Sequence, residues 1–198
     1  MRSALMFVFA LLLVACGSTP QTDYYLLTAD ADRSSELRGP TLGIAELNLA
    51  EYLRRPELVT LQSSNRLHVD PYRRWAEPLD DGMRRTLALN LSALLGSDGV
   101  RNMPWPRDWV PQWLLRVSIA RMDVGQESIE LVAVWSLQDG RRAHAAVEHT
   151  SRLGRARSGD SADSIAADMS QSLLALGQEI VASIDAGTAA DDSAAQTQ

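Results

Sequence analysis

Apolar and polar residues alternate along three stretches in the second half of the chain, at residues 115–124, 129–137 and 143–153. A period of two residues is typical of strands that bury one face. The phase of the first stretch shifts near Ala120, which predicts a β-bulge. An Asp-Gly pair within residues 138–141 favours a hairpin turn. The pattern therefore predicts an antiparallel meander. The inward residues of its third strand are expected to include Ala145 and Val147.

The first half of the chain predicts shorter strands and one helix. Residues 24–27 and 41–47 are short apolar runs. Residues 58–69 have the pattern of a hairpin, with a Ser-Ser-Asn turn in the middle. Residues 80–95 show the 3.6-residue period of an amphipathic helix, and Gly96 directly after them is a helix-stop signal.

A second helix is predicted at residues 163–184, where large apolar residues recur every three or four positions. This order of elements predicts an α/β fold, a single-domain layered sandwich with a mixed, largely antiparallel sheet and two main helices. The domain is expected to cover residues 24–184. Residues 185–198 carry no large apolar side chain and are predicted to form a disordered tail.

The start of the chain has the layout of an export signal. Its apolar run of about 11 residues would span roughly 16 Å as a helix, which is too short to cross a membrane. Residues 13–16 read Leu-Val-Ala-Cys, similar to the lipobox of bacterial lipoproteins. We therefore predict a signal peptide over residues 1–15, a covalent lipid on Cys16 and a tether over residues 16–23. The alternatives are an ordinary signal peptide with an incidental cysteine, or a buried N-terminal helix.

Composition narrows the range of functions. A net charge of −6 argues against general binding of nucleic acid. The chain contains no lysine, so chemistry that requires a P-loop lysine or a Schiff base is excluded. A single cysteine cannot form an internal disulfide, and the folded domain must therefore be stable without one.

The sequence offers no convincing catalytic or metal-binding motif. His144 and His149 are five residues apart along a predicted strand, so their side chains should point to opposite faces. His68 has no acidic neighbour on its own face closer than Asp70. We therefore expect no catalytic residue, no metal site and no cofactor other than the lipid on Cys16.

Two segments are candidates for contact with a partner or a lipid surface. Residues 103–113 hold three tryptophans and three prolines. The prolines oppose a helix, and tryptophan is enriched at protein interfaces and at membrane surfaces. Arginines within residues 152–157 flank a glycine in a predicted basic loop. The alternatives are packing over the edge of the core and an ordinary solvated loop. The candidate partner-binding residues are Trp105, Trp109, Trp113, Arg155 and Arg157.

Two motifs are similar to those of a known family. Residues 52–60 read Y-L-R-R-P-E-L-V-T, and residues 74–79 read R-W-A-E-P-L. Together with the tyrosine pair at residues 24–25 and the Pro-Trp pair at residues 104–105, they resemble the PqiC (YmbA) family of ABC-type transport auxiliary lipoproteins. The resemblance covers most of the chain after the lipobox, and it implies an α/β sandwich with a mixed sheet.

The resemblance also implies a function. It implies a lipoprotein without enzymatic activity, anchored in the outer membrane and facing the periplasm. Its partner would be a periplasmic MCE-domain protein that forms a tunnel for lipids between the membranes. Self-association into a homo-oligomer remains open. The alternatives are a carrier that itself holds an acyl chain, and an envelope enzyme or an unrelated assembly lipoprotein.

The two motifs also have a purely structural interpretation. Pro56 and Pro78 fix the backbone before a predicted strand and before a predicted helix. Trp75 is large enough to fill the space between helix and sheet. From the sequence alone, a role in the fold and a role in binding are equally consistent with these residues.

Overall fold

The computed structural model describes residues 20–32, 39–141 and 145–195. Cys16, the predicted signal peptide and His144 lie outside these residues. The strands are β1 Asp23–Tyr25, β2 Leu42–Leu49, β3 Glu57–Ser63, β4 Arg66–Trp75, β5 Val100–Asn102, β6 Trp113–Val124, β7 Ser128–Asp139 and β8 Val147–Ala156. The helices are α1 Leu79–Leu95 and α2 Ala162–Ala195, with a 3-10 turn at Glu51–Leu53.

Five strands form the larger sheet, in the order β5-β2-β6-β7-β8. Strand β2 runs parallel to both β5 and β6, and β6, β7 and β8 form the antiparallel meander that the alternation predicts. The pairing of β6 with β7 shifts register between Ile119 and Arg121, which confirms the predicted bulge at Ala120. The sheet is therefore mixed and largely antiparallel.

Three strands form a second sheet, in the order β1-β4-β3. Strands β3 and β4 are the predicted hairpin. Strand β1 runs parallel to β4, with Asp23 opposite Arg73. The predicted α/β class with two main helices is confirmed, although the strands divide between two sheets instead of forming one.

Both helices pack on one face of the five-stranded sheet, as their apolar stripes predict. Met83, Leu87 and Leu91 of α1 are completely buried, and so are Leu173 and Ile180 of α2. Burial of one such side chain contributes roughly 1.5–3 kcal/mol. On the sheet, the alternate residues of β7 from Ile129 to Leu137 are buried against the helices. The opposite face of this sheet is solvent-exposed and mostly polar, with residues such as Glu46, Asn48, Arg116 and Ser118.

The two helices end differently. Helix α1 ends at Gly96, whose φ of 57° is the left-handed conformation that glycine adopts without strain. Helix α2 continues past the predicted end at residue 184, through an alanine-rich stretch up to Ala195. Alanine is the best helix former. The predicted disordered tail therefore begins as helix within the described residues. Thr188 in this extension donates a 2.7 Å hydrogen bond to the carbonyl of Ile184.

The start of β8 differs from the sequence-based prediction. Val147 is 60 % exposed, and Ala145 lies before the strand and is also exposed. The buried residue of β8 is Ser151. Strand β8 is an edge strand, and the α2 side chains that hydrogen-bond to it meet it at His149 and Ser151. The first residues of β8 therefore remain uncovered.

Candidate functional site

The two motifs that carry the family resemblance meet in space. The backbone N–H of Trp75 donates a 2.7 Å hydrogen bond to the carbonyl of Pro56. Beside it, the guanidinium of Arg74 lies 3.0 Å from the carboxylate of Glu57. A cleft of about 390 Å³ runs between the motifs, and its apolar lining includes the buried Trp75 and Leu79 and the exposed Pro78. Its rim carries charged side chains of both signs, Arg54, Arg55, Glu77 and Asp80.

Trp75 itself is a core residue. It is 7 % exposed and, with Leu53, Met122 and Met169, it lines an enclosed gap of about 10 Å³. That volume holds about one water molecule. The indole therefore fills the space where the three-stranded sheet, β6 and α2 come together, which supports the structural interpretation of this motif.

Glu77 connects three parts of the chain through Arg85 of α1. The Arg85 guanidinium donates two hydrogen bonds, of 2.6 and 3.1 Å, to Glu77 Oε1. It donates a third, of 2.9 Å, to the backbone carbonyl of Leu27. One arginine thus fixes the segment before α1 and the segment after β1, and this is again a structural role.

The tryptophan segment forms a loop between β5 and β6. Trp105 lies so close to Gly43 that a Cβ at residue 43 would come within 2.9 Å of its ring. Trp109 meets Trp105 edge to face, with ring centroids 5.4 Å apart, and Arg101 lies 4.9 Å from the Trp109 ring centroid. Both indoles are half-buried, and the neighbouring Met103 and Val110 are each 55 % exposed. The loop presents a mixed apolar and aromatic surface.

Trp113 is separate from this surface. It begins β6, where its backbone N–H donates a 3.0 Å hydrogen bond to the backbone carbonyl of Thr41. Its ring lies against α2, because a Cβ on Gly187 would approach that ring to 3.0 Å. The loop therefore contributes Trp105 and Trp109 to one surface, whereas Trp113 joins strand and helix.

The predicted basic loop is the end of β8 and the turn after it. Arg155 lies 3.6 Å from the buried carboxylate of Asp168 on α2. The guanidinium of Arg157 donates hydrogen bonds to the carbonyls of Gly125, Gln126 and Gly159. The Arg157 side chain is only 11 % exposed. These arginines are committed to contacts within the domain, and Arg157 more so than Arg155.

A polar cluster between β8 and α2 was not predicted from the sequence. Ser151 accepts a 2.8 Å hydrogen bond from the indole of Trp135 and donates one to Glu179. His149 stacks on Trp135 at 4.2 Å and lies 3.3 Å from the hydroxyl of Ser183. The residues are those of a hydrolase triad, but Ser151 contacts Glu179 and not the imidazole. The sequence feature that could have indicated this cluster is the two-residue spacing of His149 and Ser151, which places both on the inward face of a strand.

Tyr52 of the first motif bonds to β6. Its hydroxyl donates a 2.6 Å hydrogen bond to Asp123 and accepts one from the backbone N–H of Met122. Burial, followed by the hydrogen bond to Asp123, raises the pKa of Tyr52 to about 12. The phenol therefore stays protonated at neutral pH and acts as a structural donor.

The domain has two distinct ends. Strands β2, β5 and β6 start at the same end, since Leu42 pairs with both Val100 and Trp113. The tryptophan loop lies there. Strand β1 and the start of α2 lie at the other end, where Tyr25 and Asp163 line a common cleft. Helix α2 reaches from that cleft to Trp113 near Gly187, a distance of roughly 37 Å at 1.5 Å per residue.

Within the described residues, no helix combines the length and apolar character needed to cross a membrane. In the same part of the chain, no group of three or more His, Cys, Asp or Glu side chains is placed to hold a metal ion.

Comparison with known proteins identifies a relationship that covers most of the chain. Residues 24–181 match the family model described as ABC-type transport auxiliary lipoprotein component. No curated protein matches the chain.

Solved structures share the fold. A crystal structure of an uncharacterized protein is 22 % identical, with a TM-score of 0.69, and covers 83 % of this chain and 99 % of its own. Protein XCC0632 from Xanthomonas campestris, of family DUF330, is 16 % identical with a TM-score of 0.69. The match covers 87 % of this chain and 99 % of that protein. The PelC dodecamer from Paraburkholderia phytofirmans is 17 % identical with a TM-score of only 0.40, covering 80 % and 93 %, and supports no argument.

Proposed function

Because the chain belongs to the family of ABC-type transport auxiliary lipoprotein components, we propose that it is the membrane-anchored docking component of an MCE-type system for lipid transport between membranes. The observation that carries the proposal is the match over residues 24–181, which includes both motifs, helix α1 and the first part of helix α2. The proposed role is binding and not catalysis, since the motif residues are used in packing and in structural hydrogen bonds.

The proposed anchor is a lipid on Cys16, in the outer membrane and facing the periplasm. The lipobox-like residues 13–16 support lipidation. Gly17 would be the second residue of the mature chain, and by resemblance to sorted lipoproteins a residue other than aspartate there permits transfer to the outer membrane. The tether of seven residues before Asp23 reaches at most about 25 Å, so the domain would stay close to the membrane.

The proposed docking surface is the tryptophan loop, and the partner is a periplasmic MCE-domain tunnel protein. Trp105 and Trp109 are half-buried and flanked by the exposed Met103 and Val110. Interface centres are enriched in aromatic residues and methionine. The loop lies at the end of the domain away from β1, roughly 37 Å along α2. A lipid anchor at one end and a docking surface at the other suit a protein that connects a membrane to a tunnel.

The alternative function is a carrier that holds an acyl chain itself. A carrier needs an apolar pocket of roughly 300–1,000 Å³ that encloses most of its ligand. The enclosed gap beside Trp75 measures about 10 Å³. A cleft of about 500 Å³ on the open face of the five-stranded sheet is lined by Arg121, Glu130 and Arg152, charged side chains that suit an acyl chain poorly. The clefts of about 390 Å³ between the two motifs and about 410 Å³ beside Tyr25 fall in this range of volume, but both are open to solvent, so neither would enclose an acyl chain. These observations favour docking over the carrier function.

One experiment separates these functions. The full-length lipidated protein, reconstituted in vesicles, is mixed with the MCE protein encoded in the same genome, and the complex is isolated by flotation. Native mass spectrometry of the released protein then reports bound lipid and subunit number. Flotation of the MCE protein only with vesicles that carry the lipoprotein supports docking. No flotation, together with stoichiometric lipid on the lipoprotein, would favour the carrier and contradict the proposal.

A further inference from the structure

Exposed apolar side chains are concentrated on and beside strands β1 and β4. Among the described residues, four of the eight exposed large hydrophobic side chains belong to the segments of β1 and β4, namely Tyr24, Leu26, Leu67 and Tyr72. Tyr24 is 64 % exposed and Tyr72 is 42 % exposed. Tyr24 is the register partner of Arg74, two residues after Tyr72, so the two exposed phenols belong to neighbouring strands.

The β3–β4 hairpin extends beyond the body of the domain. All residues from 62 to 68 are exposed, although they include a leucine. A two-stranded hairpin without a covering layer is marginally stable in water. Leu67 pairs with Leu61 across the hairpin and is still 40 % exposed, and Tyr24 and Tyr72 behind it are more exposed than that.

The register of β1 and β4 places the hairpin beside the tether. The two strands run in the same direction with Asp23 opposite Arg73. Going back from this pair, seven residues lead to Cys16 along the tether, and seven lead to Arg66 along β4. Each of these two seven-residue segments reaches at most about 25 Å when extended. The pairing of β4 with β3 skips residues 71–73, and this bulge bends the hairpin. The hairpin tip therefore lies within the reach of the tether.

We infer that the β3–β4 hairpin and the exposed tyrosines beside it contact the lipid surface to which Cys16 is anchored. This inference rests on the proposed lipid anchor. Tyrosine is enriched at the level of lipid headgroups, where its ring is apolar and its hydroxyl remains hydrated. Leu67 at the tip supplies an aliphatic side chain that can enter the same layer.

The contact does not depend on anionic lipids. Arg73 lies 3.4 Å from Asp70, and Arg74 lies 3.0 Å from Glu57. These two arginines are thus paired with carboxylates within the protein, Arg66 beside Leu67 is a single further arginine of the hairpin, and the chain as a whole carries a net charge of −6. Apolar and aromatic insertion is therefore the source of the affinity, and neutral phosphatidylcholine vesicles are a sufficient probe.

The test uses the full-length lipidated protein, in which acylation leaves no free thiol. Ser64→Cys in the hairpin turn is labelled with an NBD fluorophore, and Asp108→Cys in the tryptophan loop is the matched control at the opposite end. Each is reconstituted in phosphatidylcholine vesicles with or without brominated acyl chains. We expect brominated lipid to quench the label at residue 64 and to leave the label at residue 108 unchanged, with no effect of added salt.

A second variant tests the side chains. Burial of one leucine shifts a partition equilibrium by roughly tenfold or more. Leu67→Ser with Tyr72→Ser should therefore abolish most of the quenching at residue 64 while the protein still floats with the vesicles. Flotation without quenching in the parent protein would overturn the inference, and a concentration-dependent blue shift without quenching would assign the hairpin to a second copy of the chain. Loss of flotation would overturn both the anchor and the contact. No MCE protein is present in this experiment, so its result does not depend on whether the protein docks to an MCE partner.

Discussion

Arg85 of α1 and Glu77 form a two-point contact, with both Nε and Nη2 of the arginine bonded to the same carboxylate oxygen, at 3.1 and 2.6 Å. The neighbouring Arg84 makes only a 3.3 Å contact with Asp81, one helical turn earlier. Two adjacent arginines on one helix thus differ in what they connect. Arg85 joins separate segments, whereas the ion pair of Arg84 lies within its own helix.

We predict that Arg85→Ala lowers the free energy of unfolding by roughly 1–2 kcal/mol, because Glu77 and the carbonyl of Leu27 both lose a charged donor. Arg84→Ala should change it by less than about 0.5 kcal/mol, as is usual for an exposed pair. Urea unfolding of the two variants measures the difference. Equal losses would show that the Arg85 contact adds nothing beyond an ordinary surface ion pair.

Replacement of Trp75 should have a larger effect. Trp75 is 7 % exposed and fills the junction of the two sheets and α2. Trp75→Ala is expected to cost about 3–5 kcal/mol of folding stability, the usual range for truncating a buried aromatic. Thermal unfolding monitored by circular dichroism measures it. A melting temperature close to that of the parent would mean that the motif serves a partner and not the fold.

Replacing Trp109 and replacing Trp113 should affect different properties, partner binding for Trp109 and folding stability for Trp113. Trp109→Ala is predicted to weaken binding of the MCE partner by about 2 kcal/mol, or roughly thirty-fold, with little change in melting temperature. Trp113→Ala should lower the melting temperature, because its ring packs against Gly187 of α2. Binding and melting are measured on both variants. A large loss of stability in Trp109→Ala would exclude it from the docking surface.

The anchor is tested by Cys16→Ser. Without the thiol, acylation cannot occur, and uncleaved precursor should accumulate. A single acyl chain binds membranes only marginally and several bind stably, so the parent protein should remain with membranes after a salt wash. Mass spectrometry of the N-terminal peptide and sucrose-gradient fractionation give both results. Parent protein found entirely in the soluble periplasm, or in the inner membrane, would contradict the proposed location.

The hydrogen bond of Tyr52 predicts a loss of stability at alkaline pH. Its folded-state pKa is raised from 10.0 to about 12, so the folded state holds this proton more tightly than the unfolded state. The stabilisation is complete below pH 10 and is lost as the pH rises through about 12. Tyr52→Phe is the control and should show a smaller decline over this window. Identical declines in the two proteins would assign the effect to other groups.

Local sequence signals predicted much of the fold. The stripes of α1 and α2, the stop at Gly96 and the bulge at Ala120 each arise within a few residues, where period and turn chemistry decide the outcome. The pairing of β1 with β4 connects residues fifty positions apart, and no local pattern encodes such a contact. The division of the strands into two sheets was missed for this reason.

The surfaces were predicted less well than the elements. A cluster of tryptophans identifies an aromatic segment but not which ring faces the core, and Trp113 turned inward because β6 begins there. Arg157 was a candidate for partner binding in a predicted basic loop, and three backbone carbonyls of the domain accept its hydrogen bonds. Such carbonyls belong to turns whose shape is set by the fold. The spacing of side chains along the sequence therefore does not predict them.

The parallel pairing of β2 has a consequence for the way the chain is made. In the described part of the chain Leu42 pairs with Val100 and Trp113, so β2 has no strand partner there until about half of the chain has emerged, and no long one until β6. Contacts between distant residues form slowly, and an unpaired apolar strand invites aggregation. If the chain is exported as its N-terminus indicates, it arrives across the membrane with this strand exposed. We expect such a chain to fold more reliably when a holding factor covers β2 until β6 arrives.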